Sequence, residues 1–172
     1  MQHTIALRPW EMDDLTNLVT YANNPKIAQN LTDMFPHPYS REDGIAFIQM
    51  TKNLKDGVIF CVTVDDEVAG SIGVFMQKDI MRRNAELGYW IAEPFWGKGV
   101  CTTSVKLIVR YGFEHFDIDR IFARPFGRNI ASQKVLMNAG FAFEARFHQN
   151  IIKNGILEDE LFFGIRKAFL KK

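Results

Sequence analysis

The chain has little of several things that would point to particular functions. Of its 172 residues only two are cysteine, Cys61 and Cys101. They lie far apart and outside any Cys-x-x-Cys or His/Cys pattern, which argues against a disulfide framework and against a structural zinc. An excess of one charge is lacking too. With 21 basic and 20 acidic side chains the formal net charge is +1. Nothing electrostatic therefore calls for nucleic acid or an anionic membrane as partner. No apolar run approaches the length of a membrane span, and the start of the chain lacks the basic flank, apolar run and small-residue cleavage site of a secretory signal. Internal repeats, low-complexity tracts and Pro/Gly/Ser linkers are missing as well. What remains is a globular composition, 47% hydrophobic and 24% charged. The expectation is one domain over residues 1–172, in the reducing cytoplasm, large enough to bury a substantial core.

The order of elements reads as mixed α/β. Ile5–Arg8 forms a short strand. Asp13 or Asp14 caps a helix whose apolar face is Leu15, Leu18, Val19 and Ala22. Pro25 begins a second short helix, Lys26–Leu31, and Phe35-Pro36-His37-Pro38-Tyr39 must be a loop. Ser40 with Asp43 resembles a capping box opening a helix to about Leu54. Three strands follow without helices between them, Val58–Val64, Val68–Phe75 and Ala85–Ile91, which suggests an antiparallel meander. Thr102–Phe116 is the clearest helix, with Val105, Ile108, Val109, Gly112 and Phe113 on one stripe. Then come a strand at Arg120–Pro125, a helix at Ala131–Ala139 closed by Gly140, and two strands, Phe141–Gln149 and Leu157–Arg166, joined around Asn154-Gly155.

The feature that carries chemistry is Gly97-Lys98-Gly99, between a strand and a helix. The first N–H groups of a helix have no intrahelical partner, and the dipole adds partial positive charge there. Glycines let the backbone approach a phosphate in a left-handed conformation. Lys98 adds charge, and Thr102 and Thr103 add hydroxyl donors. A P-loop is excluded because Ala92 stands where its first glycine belongs. A dinucleotide fingerprint would need a third glycine where Thr102 stands, and the next strand ends in Arg124-Pro125 rather than an acidic ribose ligand. From the loop alone, a glycine turn without a ligand stays open.

The surrounding residues resemble a family. Glu86-Leu87-Gly88-Tyr89-Trp90-Ile91, then Trp96-Gly97-Lys98-Gly99 and Thr102-Thr103, is similar to the central strand and acyl-CoA loop of the GNAT N-acyltransferases. Leu7-Arg8-Pro9-Trp10, Asn23-Asn24-Pro25, Pro36-His37-Pro38-Tyr39, Asn129-x-x-Ser132 and Gly140-Phe141 narrow the likeness to the RimJ/RimL-like branch. That resemblance implies an α/β (α+β) fold with a mostly antiparallel sheet, a central parallel pair splayed apart, and flanking helices. It implies acetyl-CoA as cosubstrate, without a metal. Backbone groups of Trp90, Ile91, Ala92 and Glu93 would hold the pantetheine arm and acetyl carbonyl. The N–H groups of Gly97, Lys98, Gly99, Val100, Cys101, Thr102 and Thr103 would hold the pyrophosphate, with Asn129 touching the cofactor.

Direct attack of an amine on the thioester needs a base, an oxyanion donor and ideally a proton for the leaving thiolate. The resemblance makes Glu86 the base, through water, with an ordinary salt-bridged strand carboxylate as the other reading. Leu136 stands where many members place a tyrosine acid, so Ser132 is the candidate acid. The alternative for Asn129 and Ser132 is a plain helix cap. Cys101 reads as a small loop residue vulnerable to oxidation, with no spacing that makes His115 or His148 its base. Phe35 and Tyr39 are candidates to contact the acceptor. Glu158, Asp159 and Glu160 cannot all face one site on an alternating strand, so most are expected in solvent. The acceptor is a protein N-terminus, a polyamine, an amino sugar or an aminoglycoside. A non-catalytic acyl-CoA-binding regulatory domain and a nicotinamide-dinucleotide enzyme are the readings from other classes. A monomer or a homodimer is expected.

Overall fold

The computed structural model describes residues 3–168. One seven-stranded sheet runs through it, in the order β1-β2-β3-β4-β5-β7-β6. β2 (Gly57–Val64), β3 (Glu67–Met76) and β4 (Asn84–Ile91) form the expected antiparallel meander, and β1 (Ile5–Arg8) adds to its β2 edge, also antiparallel. Between β2 and β3, Asp65 and Asp66 take φ of 50° and 69°, the left-handed pair that a tight hairpin turn requires. α1 (Leu15–Ala22) and α3 (Arg41–Asn53) pack together on one side. α3 is opened by the Ser40–Asp43 capping box, with the Asp43 N–H donating to Ser40 Oγ at 3.1 Å. α4 (Val100–His115) buries Val105, Ile108, Val109 and Phe113 against the sheet, and Gly112 lets it approach Ile121. Trp10 is 1% exposed and meets Phe47 edge-on, so it belongs to the core. No helix among the described residues is long and apolar enough to cross a membrane.

The feature that creates a site is the end of the single parallel pairing. β5 (Arg120–Ala123) follows β4 only for Asn84↔Arg120, Ala85↔Ile121 and Glu86↔Phe122. Beyond that the chain leaves β4 and stays with β7 (Ile156–Arg166). The Leu161 N–H donates to the Pro125 carbonyl at 3.0 Å, and Phe126 bridges Glu160. Leu87–Ile91 therefore has no partner from β5, and the sheet opens into a cleft. The Ala92 N–H donates to the Ala69 carbonyl at 2.8 Å. The alternation of an antiparallel ladder then turns the N–H and C=O groups of Tyr89 and Ile91 towards the gap.

Several boundaries differ from the sequence expectation, each for a local reason. The helix expected at Lys26–Leu31 is α2, Pro25–Ala28, with Asn24 as its cap; Gln29–Leu31 turns away. Asp14 stands at the start of α1, but its carboxylate does not cap the helix. It takes two hydrogen bonds from Arg8, both at 2.7 Å, and one from the Glu11 N–H. β5 stops at Ala123, two residues before Pro125. α5 is Ile130–Asn138, closed by Gly140 at φ 96°. β6 (Ala142–Lys153) does not end at Gln149. It passes through a bulge there, with Gln149 at φ 48°, and continues to the Asn154-Gly155 turn.

Candidate functional site

The cleft between β4 and the β5–α5 segment has a volume of about 780 Å³. The start of α4 forms one end. Gly97 and Gly99 take φ of 72° and 76°, and nothing lies within 4 Å of where a Cβ would stand on either. Gly99 is the residue before the helix, and the first amide of the turn with a backbone acceptor is Thr103, which donates to Gly99 at 3.0 Å. Among the described residues the N–H groups of Lys98, Gly99, Val100, Cys101 and Thr102 have none. Five donors at the positive end of a 16-residue helix form an anion cradle. The Lys98 ammonium lies 5.9 Å from the Phe95 ring centroid, exposed beside the turn. The Trp96 indole fixes the turn to the strand by donating to the Ile91 carbonyl at 2.6 Å.

Midway along the cleft Tyr89 and Ser132 meet. Their oxygens are 2.7 Å apart, and either can donate. The sequence offered no signal for Tyr89, because its partner lies 43 residues away on α5. Burial pushes its phenol further up, with Cys101 adding to the effect, so Tyr89 is neutral and carries its proton at physiological pH. Asn129 is the cap of α5, its Oδ1 accepting the Ser132 N–H at 3.1 Å. That bond fixes where the serine hydroxyl stands. Cys101 lies on the first turn of α4 rather than in a loop, and desolvation pushes its thiol up to about 12. It is partly buried and lines the cleft, and the raised value keeps it a thiol at neutral pH.

At the other end Glu86 faces the cleft from β4, and both its oxygens are engaged. Arg124 donates to them from Nε at 2.8 Å and from Nη2 at 3.1 Å, and from Nη1 to Glu160 at 3.0 Å. Asn150 donates to the second Glu160 oxygen at 2.6 Å. The β7 acids, most of which were expected in solvent, are instead largely shielded by partners. Glu158 binds Arg128, Asp159 accepts the Gln149 N–H and binds Arg146, and Glu160 is 9% exposed. The β6 bulge is what turns the middle one, Asp159, into a partner for its own strand neighbour.

A further wall of the cleft is α2 and the turn after it, Lys26 to Thr32. It is pinned from afar. Arg128 donates to the Gln29 carbonyl at 2.6 Å and to Asn30 Oδ1 at 3.0 Å, and Lys153 to Asp33 at 2.7 Å. These pairs are about a hundred residues apart in sequence, which is why the sequence reading missed this wall. Of the residues expected to touch an acceptor, Tyr39 is buried in the core at 4% exposure and lies outside the cleft lining. Phe35 packs between it and Trp90, at 5.2 and 6.1 Å between ring centroids. Phe35 is only partly buried, and neither is among the residues lining the cleft. Trp90 and Ile91 line the cleft. Ala92 is buried, with its N–H spent on β3, and the Glu93 carboxylate is held by Lys26 and Asn24.

Comparison with known proteins agrees with this geometry. The family model described as an acetyltransferase (GNAT) domain matches residues 4–142. The probable N-acetyltransferase YjcK of Bacillus subtilis (strain 168) is 34% identical over 101 residues, which is 59% of this chain; the match spans only 56% of that relative. Spermidine N(1)-acetyltransferase of Escherichia coli (strain K12) is 26% identical over 89% of this chain and 81% of its own length. The structure of RimL, a ribosomal L7/L12 alpha-N-protein acetyltransferase in complex with coenzyme A, superposes with a TM-score of 0.85. It covers 95% of this chain and 94% of its own at 21% identity, which shows a shared fold.

Proposed function

The chain belongs to the GNAT acetyltransferase family, and on that premise we propose that it transfers an acetyl group from acetyl-CoA directly to a primary amine in the cleft between β4 and β5. The observation that carries the reading is the continuity of one cleft. A cradle of unpaired amides at the α4 start, a buried hydroxyl pair and a strand carboxylate follow one another along it.

The residues present fit acetyl-CoA. The left-handed glycines leave open space at the cradle, and the N–H groups from Lys98 to Thr102 suit a pyrophosphate. Acetyl-CoA supplies an activated acetyl thioester. The N–H groups of Tyr89 and Ile91, turned into the gap, donate towards the acetyl carbonyl and the pantetheine amides. Asn129 holds Ser132 in place, and Ser132 offers a proton to the departing sulfur. Tyr89 stays protonated and supports the Ser132 oxygen by donating to it across the 2.7 Å hydrogen bond, and the proton Ser132 gives up is restored from solvent entering the open cleft. Glu86 orients the incoming ammonium and takes its proton through a water molecule, the paired Arg124 fixing its side chain.

A single domain acting on a soluble or protein-borne amine is the simplest form of this function. The test is thiol release from acetyl-CoA against a panel of amines. Release that depends on the amine supports the reading. Measurable CoA binding without such release would leave a regulatory acyl-CoA-binding domain, and binding of NAD(P) in place of CoA would overturn the family-based donor.

A further inference from the structure

The ion pairs around the acceptor end of the cleft define which charge it accepts, provided the acetyl-transfer reading holds. Three charged side chains line the cleft: Lys26, Glu86 and Arg124. Two are cations, and the single carboxylate is already bonded twice to Arg124. Behind the lining, the other acids are matched one to one. Glu93 binds Lys26, Glu158 binds Arg128, and Asp33 binds Lys153. The exception is the triad Glu86–Arg124–Glu160, where one guanidinium serves two carboxylates. Its formal sum is one negative charge, and the Glu160 side chain is 9% exposed, so water screens that charge poorly.

We propose that the acceptor is a monocationic amine with an uncharged neighbourhood, and that Arg124 is the residue that excludes polycations. One ammonium at the triad is balanced. A second ammonium a few ångströms away meets the Arg124 guanidinium, both of whose carboxylates are already shared, and like charges brought together in a partly desolvated cleft repel. Arg124 thus acts by subtraction, since without it Glu86 and Glu160 would present two negative charges to the same space. Exclusion by a like charge is a general device of specificity.

The test compares kcat/KM for a monoamine with a neutral tail, such as the N-terminus of an uncharged peptide amide, with that for spermidine and spermine. The wild type is expected to favour the monoamine at least tenfold, and added salt should narrow the ratio. Arg124→Gln should raise spermidine at least tenfold relative to the monoamine, leaving CoA affinity unchanged. Arg124→Lys, which keeps the charge, should preserve the wild-type order. Calorimetric binding of the same amines to the CoA-loaded protein reads the preference without turnover, so a chain that transfers nothing still answers the question. Spermidine bound and acetylated as well as the monoamine by the wild type, or an Arg124→Gln effect equal for all amines, would overturn the proposal.

Discussion

At the scale of the residue, the site depends on pairs rather than on single groups. Ser132 has its backbone fixed by Asn129 and its hydroxyl by Tyr89. Glu86 is immobilised by Arg124. Asn129-x-x-Ser132 was legible because a cap and the residue it bonds are three apart. Tyr89 and Arg124 were not, since each takes its meaning from a partner 38 to 43 residues away across the cleft. The sequence correctly allowed that Glu86 could be an ion-paired strand carboxylate; the structure joins that reading to a place facing the cleft. Two substitutions separate the roles. Glu86→Gln should lower kcat by about 100-fold, the low end of general-base effects, with little change in acetyl-CoA affinity. Ser132→Ala should cost only about 10-fold, because a thiol leaving group is itself fairly acidic and leaves readily without a proton. Steady-state kinetics on both variants checks the order, and a larger loss for Ser132→Ala would reverse the assignment of the harder proton transfer.

At the scale of the element, the turn before α4 is the part most fully specified by sequence. Gly97 and Gly99 needed positive φ, the helix stripe was plain, and the observed angles agree. The start of that helix was placed two residues late, because Val100 and Cys101 look like loop residues until the left-handed Gly99 is seen to begin the turn. α2 was over-extended for the opposite reason: Leu31 continued the apolar pattern, although the chain breaks to form the cleft wall. A carboxylate placed at Gly99 would face the cradle. Gly99→Asp is therefore expected to remove detectable CoA binding by calorimetry, whereas Gly99→Ala should weaken it less and cost roughly 1–2 kcal/mol of left-handed strain. Full CoA affinity in Gly99→Asp would mean that the cradle holds something else.

At the scale of the whole molecule, the meander of β2, β3 and β4 could be anticipated from periodicity, but the full strand order and the cleft could not. It exists because β5 abandons β4 for β7 after three residue pairs, and because Arg128 and Lys153 draw the turn after α2 towards the β6–β7 hairpin. Neither event has a local signature. A local tie, between Asp14 and Arg8 six residues away, gives global stability a pH dependence. Burial pushes the Asp14 carboxyl up, but the hydrogen bonds from Arg8 and from the Glu11 N–H outweigh it and leave it below its ordinary 3.8. A folded value below the unfolded one stabilises at all pH above 3.8, and the contribution disappears as pH falls through the folded value. Asp14→Asn should therefore lose about 1.5–3 kcal/mol at neutral pH, the usual worth of hydrogen bonds to charged groups. Denaturant unfolding should show that gap closing below pH 3.8, and a gap independent of pH would assign the loss to packing.

The claim at the centre of the account is direct passage of the acetyl group from sulfur to nitrogen within this cleft. Acetyl-CoA labelled in its acetyl carbon, mixed with the protein and a peptide bearing a free N-terminus, tests it in one mass-spectrometric measurement. Label is expected on the amine nitrogen, in step with CoA release, and none on the protein. Label held on the protein, or CoA bound with no label moved to any amine, would contradict it.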